Sequence, residues 1–114
     1  MNFKDNLPIY IQIMNYIKKE MVIRKIKEGD KLPSVRELST TLTVNPNTIQ
    51  RAYTELEREG LVFTQRGMGT FATEDIEKIE SLKKDMAKSL VDNFLIDMQS
   101  LNFSKEEIKK LIDL

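Results

Sequence analysis

Apolar positions in this chain follow helical and strand periods, separated by turn signals. Ile9, Ile13, Tyr16, Ile17 and Met21 recur at spacings of three and four behind Pro8, which predicts an amphipathic helix from Pro8 to about Arg24. Its wet face carries Lys18, Lys19 and Glu20, read as a solvated face rather than a phosphate site. Glu28-Gly29-Asp30-Lys31 turns the chain. Val35, Leu38 and Leu42 then predict a short inward-facing helix stripe, and Ile49, Ala52, Tyr53 and Leu56 a second. Leu61-Val62-Phe63-Thr64 and Gly69-Thr70-Phe71-Ala72 alternate around Gln65-Arg66-Gly67-Met68, the pattern of a β-hairpin with a glycine loop. Met68 reads as a partly exposed loop residue.

Between Lys31 and Gly60 lie two helix starts separated by Thr43 and Val44. Ser34-x-x-Glu37 is a capping box, in which hydroxyl and carboxylate each take an amide of the other residue. Asn45-Pro46 offers an N-cap followed by a residue whose missing N–H costs nothing in a first turn. Gly60 supplies the left-handed residue that closes the second helix. So short a connection forces a steep crossing, the signature of a helix-turn-helix, whose second helix enters the DNA major groove. Asn45, Asn47, Thr48, Gln50 and Arg51 stay largely outward at the start of that helix, and such side chains bond phosphates and base edges. Asn45 serves equally well as a cap alone.

Beyond the hairpin, Thr73 with Glu74 and Asp75 reads as a third capped start. Ile76, Ile79, Leu82, Met86, Leu90, Phe94 and Met98 form an apolar row, with Ala87, Val91 and Leu95 alongside. A helix of about 25 residues with so wide a stripe cannot bury it against itself. After Asn102, a second capping box at Ser104 and Glu107 starts a short helix bearing Ile108, Leu111 and Ile112. The small head offers little cover, so the expectation is a two-fold partner, with Met86, Leu90, Phe94, Leu95 and Met98 in the dimer contact. Folding back onto the head is the alternative. A Met and Phe stripe is more often core than ligand pocket. The capped last helix leads us to expect a complete protein.

Composition narrows the function. The 114 residues support one core with an appended element. There are 18 basic and 18 acidic residues, but they are unevenly placed. Through Ala72 there are 11 basic and 8 acidic residues, and from Thr73 onward 7 and 10, giving +3 and −3. A basic head beside an acidic tail suits a DNA-binding module with a dimer arm. The sequence has no cysteine and no histidine, which excludes disulfides, thiol or imidazole metal sites and triads built on those residues. No acidic loop has calcium-binding spacing, so we expect no metal, no cofactor and no enzyme activity. With no signal peptide and no run of ~18 apolar residues, a cytoplasmic protein without membrane contact is expected.

Leu32-Pro33-Ser34-x-Arg36-x-Leu38, then Asn45-Pro46-Asn47-Thr48-Ile49-x-Arg51-Ala52-Tyr53-x-x-Leu56-x-x-x-Gly60-Leu61, resembles the winged helix-turn-helix of GntR-type bacterial transcription regulators. Arg66-Gly67-x-Gly69-Thr70-Phe71 is similar to that family's wing. The resemblance spans residues 7–72, and the short tail resembles the compact YtrA-like branch, whose two-helix tail serves dimerisation. It implies a mostly α fold with a small β-hairpin: a winged helix-turn-helix over residues 1–72 and a C-terminal helical dimerisation tail over 73–114. It further implies a dimeric repressor on an inverted-repeat DNA operator, read by a recognition helix over about 46–59 and a wing over about 62–72. Control of a neighbouring transporter operon is suggested by the resemblance alone.

The site expected from residues and resemblance together starts with Ser34 on a phosphate and Arg36 on a guanine or phosphate. Asn47, Thr48 and Gln50 lie where the family's helix meets DNA, joined by Asn45 and Arg51. Arg66, Gly67 and Thr70 belong to the wing, Arg66 being suited to a narrow minor groove. Asn45-Pro46 departs from members with another Arg in this turn, and Gln50 replaces a frequent basic residue, so base preference does not transfer. Tuning by a small-molecule effector is a further expectation that the residues do not decide. Two other classes compete: a winged helix that binds protein rather than DNA, and an enzyme. The outward polar set favours DNA over the first. The lack of His, Cys, paired carboxylates and a phosphate-binding glycine loop counts against the second. The capped last helix counts against the chain being the head of a larger fusion enzyme.

Overall fold

The computed structural model describes residues 1–113. In order, it comprises α1 (Ile9–Val22), α2 (Val35–Leu42), α3 (Pro46–Arg58), β1 (Val62–Gln65), β2 (Gly69–Ala72), α4 (Ile76–Ser100) and α5 (Lys105–Ile112). The sequence expectation of a mostly helical chain with one hairpin holds. Two compact units divide inside α4, residues 1–82 and 83–114. The division falls there because Ile79 is buried in the head core and Leu82 packs against it.

In the head, α1 and α3 pack together and α2 lies against α3. Ile13, Ile17, Met21, Leu38, Ile49 and Leu56 build the centre. The stripe on α1 is rotated from its expected position: Met14 is buried, while Ile9 and Tyr16 are exposed. α1 also ends two residues before Arg24. Arg24 adopts φ 68°, and the amides of Arg24 and Lys25 bond back to the carbonyls of Met21 and Glu20, a Schellman closure without glycine. Lys18 is not simply solvated, since its ammonium pairs at 2.9 Å with Glu59, the residue that caps α3. Gln12, buried on α1, clips the N-terminal segment by bonding both backbone groups of Lys4 and the carbonyl of Leu7.

The expected hairpin forms, but its first strand lies one residue later than expected, taking in Gln65 in place of Leu61. Phe63 therefore stands opposite Phe71, Thr64 opposite Thr70 and Gln65 opposite Gly69. The two phenylalanine rings stack at 5.7 Å. A third backbone segment joins the sheet: Leu32 donates to the Thr70 carbonyl and Ala72 to the Asp30 carbonyl, both at 2.8 Å, with Lys31 paired to Phe71. Thr73 does not cap α4. Its backbone is committed to this sheet edge, its amide reaching Leu61 and its carbonyl receiving Gly29. Asp75 caps instead, its carboxylate accepting the amide of Lys78.

In the tail, α4 closes at Asn102, φ 66°, whose amide and that of Phe103 bond the carbonyls of Gln99 and Met98. The Ser104 and Glu107 capping box forms as expected. Ile108 is buried.

Candidate nucleic-acid interface

The start of α2 is built by its capping box. Ser34 Oγ accepts the amide of Glu37 and Glu37 Oε1 accepts the amide of Ser34, both at 3.0 Å. These bonds to Ser34 hold the Glu37 carboxyl below its ordinary range. The Ser34 amide is therefore taken, and what remains for a phosphate is its hydroxyl proton together with the unpaired first-turn amides. Arg36 is exposed beside them. Thr40 and Thr41 return their hydroxyls to the carbonyls of Arg36 and Glu37, so their donors are already used.

The turn between α2 and α3 rests on Thr43, a β-branched residue at φ 56°. Ser39 stabilises it by donating its hydroxyl to the Val44 carbonyl at 2.5 Å, while the amide of Val44 returns to the Ser39 carbonyl. α3 begins at the cap, where Asn45 Oδ1 accepts the amide of Asn47 at 2.8 Å. The Tyr53 hydroxyl reaches from α3 to the Pro33 carbonyl at 2.6 Å. Gly60 ends α3 at φ 75°, with its amide on Glu57 and that of Leu61 on Leu56.

Of the residues expected in the site, Asn45, Asn47, Gln50 and Arg51 are exposed and Thr48 is half-buried. Gln50 donates to the Thr54 hydroxyl at 3.3 Å, leaving its other hydrogen-bonding positions open. Arg51 lies over the ring of Tyr10, 3.8 Å from its centroid. The wing carries Arg66 and Gly67 exposed at its tip and Thr70 half-buried in β2. Gly67, at φ 78°, supplies the left-handed residue of the three-residue loop, and Gly69, at φ 124°, opens β2. Glu57 of α3 accepts the Thr64 hydroxyl at 2.6 Å, tying the wing to α3. Among the described residues, Arg36, Arg51 and Arg66 make no ion pair, and Asp, Glu, His and Cys form no metal-holding group. No described helix is long and apolar enough to cross a membrane.

Sequence reasoning missed Tyr10, Lys31 and the reach of Tyr53 to Pro33. Each is a contact between distant positions, and no local period carries it. On the tail, Leu90 and Phe94 are exposed, at 72% and 39%, as are Val91 and Ile96, whereas Met86, Leu95 and Met98 are half-buried.

A short capped helix, a left-handed turn, a second helix with a polar outer face and an adjoining hairpin define a winged helix-turn-helix DNA-binding transcription regulator. The model for bacterial regulatory proteins of the gntR family matches residues 9–72, and the chain belongs to that family. It is 44% identical over 106 residues to the uncharacterized HTH-type transcriptional regulator YhcF of Bacillus subtilis, covering 93% of this chain and 88% of the relative. The HTH-type transcriptional repressor YtrA of the same organism is 40% identical, covering 95% of this chain and 82% of the relative, which sets the chain in the YtrA-like branch. A GntR family transcriptional regulator from Listeria monocytogenes has the same fold, with a TM-score of 0.90, 50% identity and 97% coverage of both chains. The DNA-binding domain of AraR in complex with its operator ORR3 matches 64% of this chain and 88% of its own, with a TM-score of 0.58 and 30% identity.

Proposed function

We propose that this regulator is a cytoplasmic homodimeric repressor that binds an inverted-repeat operator. Residues 1–72 grip the DNA and residues 73–114 hold the dimer. The observation that carries the reading is the set of three arginines without carboxylate partners: Arg36 at the start of α2, Arg51 on α3 and Arg66 at the wing tip. Unpaired guanidinium groups on a winged helix are matched to phosphates and guanine edges. Ser34, Asn45, Asn47, Thr48 and Gln50 add neutral donors and acceptors around α3. Gly67 and Thr70 shape the wing that delivers Arg66 to the minor groove. The repressor role follows that of the relative YtrA, a transcriptional repressor, and the operator partner follows AraR. Dimerisation rests on the exposed apolar residues of α4, with a small-molecule effector as a further partner that would tune it.

Selection of bound duplexes from a random pool tests the reading directly. The expected product is two half-sites about one helical turn apart, bound with an affinity that falls steeply with salt. Arg36→Ala is expected to cost about 1–3 kcal/mol on that duplex if it reads a base. Enrichment of no duplex, or affinity that does not change with salt, would overturn DNA recognition.

A further inference from the structure

Arg51 differs from the other two unpaired arginines in already having a bed. It projects from the second turn of α3, and its guanidinium lies 3.8 Å from the centroid of the Tyr10 ring on α1. Tyr10 is itself half-buried and packed against the head core, so the ring is a fixed platform rather than a loose surface group. Further along α1, Lys18 forms a 2.9 Å ion pair with Glu59, the residue that caps the far end of α3, which fixes the same two helices against each other. Stacking consumes only the face of a guanidinium. Its five N–H donors lie in the plane and remain free at the edge, the fork that matches two oxygens of a phosphate.

We infer that Tyr10 is a positioning residue for DNA binding: its ring holds the Arg51 guanidinium edge-outward so that it clamps a backbone phosphate. The inference rests on the DNA-binding reading above. Phosphate rather than a base is the chosen acceptor because Arg51 is turned toward α1, at the flank of the recognition helix, and most protein–DNA hydrogen bonds go to the backbone rather than to base edges. The stack limits the rotamers of an otherwise flexible side chain, so less freedom is lost when the clamp closes.

The test uses the full chain and the duplex that the unaltered protein selects from a random pool. Tyr10→Phe keeps the ring and should bind with the parent's affinity. Tyr10→Leu should weaken binding about 3-fold, the size of an exposed cation–π stack. Arg51→Ala should weaken binding uniformly across sequences and reduce the salt slope by about one. In the Arg51→Ala background, Tyr10→Leu should have no further effect. A Tyr10→Leu loss that persists undiminished in that background, or a Tyr10→Phe protein as weak as Tyr10→Leu, would overturn the positioning role. Arg51→Ala that relaxes preference at one base position while leaving the salt slope unchanged would overturn the phosphate assignment. Circular-dichroism melts of each variant identify any loss caused by unfolding, and the Phe comparison and the double variant still decide the matter if Tyr10→Leu is destabilised. Failure of the unaltered protein to select any duplex would instead remove the DNA reading on which the inference stands.

Discussion

The Tyr53 hydroxyl of α3 donates to the carbonyl of Pro33, 2.6 Å away and one residue before the cap of α2. One bond thus ties the recognition helix to the entry of its partner helix. It fixes the residue from which Ser34 and Arg36 are presented. Tyr53 is almost fully buried whereas Pro33 is exposed, so losing the bond costs one net hydrogen bond without stranding its acceptor.

Tyr53→Phe is therefore expected to destabilise the head by about 0.5–1.5 kcal/mol in urea titration. The phenol adds an alkaline signature. Burial pushes its pKa up to about 12 from an ordinary value of 10.0, with the Glu37 carboxylate adding to the rise. The fold therefore favours the neutral phenol, and this stability is complete below about pH 10 and lost as pH rises through about 12. Tyr53→Phe should flatten stability across that window. An unchanged alkaline slope would show that the phenol is not held neutral by the fold.

Thr43→Gly should stabilise the protein. A β-branched side chain at φ 56° opposes the left-handed conformation by roughly 1–2 kcal/mol, and the extra unfolded-state entropy of glycine returns roughly 0.5–1 kcal/mol of that. A rise in the urea midpoint by up to about 1 kcal/mol of stability is expected, with operator affinity retained. A protein no more stable than the parent would show that the Ser39 bonds already cancel the strain.

Glu37 should titrate abnormally low in acid. Its pKa is lowered from 4.5 by the backbone and side-chain bonds to Ser34. A depressed carboxyl contributes stability above its unfolded value, and that contribution disappears as pH falls below about 4.5 and through the folded value. Ser34→Ala should move the Glu37 midpoint, followed by NMR, back toward 4.5 and cost about 1 kcal/mol at neutral pH. A midpoint at the ordinary value in the unaltered protein would remove the capping box from solution.

For the tail, Leu90→Glu combined with Phe94→Glu should convert a dimer to a monomer in sedimentation velocity. Both residues are exposed, so the charges strain no core. Operator affinity should fall with dimerisation, while thermal melting of the head stays unchanged. A dimer that survives both substitutions would place the partner contact elsewhere.

What could be read from the sequence was what is local. Ser34 and Glu37, Asn45 and Asn47, and Gly60 with Leu61 are caps made by residues a few positions apart, and all formed as expected. The 25-residue length of α4 was legible for the same reason. The end of α1 was not, because Arg24 took the left-handed position where the pattern offered no glycine. Thr73 is the cap that the pattern predicts for α4, but its backbone is claimed by the sheet edge and Asp75 caps instead. The pairings of Tyr10 with Arg51, Lys31 with Phe71 and Tyr53 with Pro33 join distant positions. Nothing near either partner announces them. Candidate DNA residues were found by chemical type and resemblance, whereas the support beneath Arg51 needed coordinates.

The short backbone pairing of Asp30 and Leu32 with β2 also constrains how this domain can diverge. The hairpin is stitched to the segment that leads directly into Ser34, so Thr70 and Ala72 must keep step with Leu32 and Asp30. An insertion or deletion within β2 would slip that register and turn the wing's inward side chains outward. At the Arg66–Met68 tip, which lies outside both strands, residues can be added without unstitching the frame that presents Arg36.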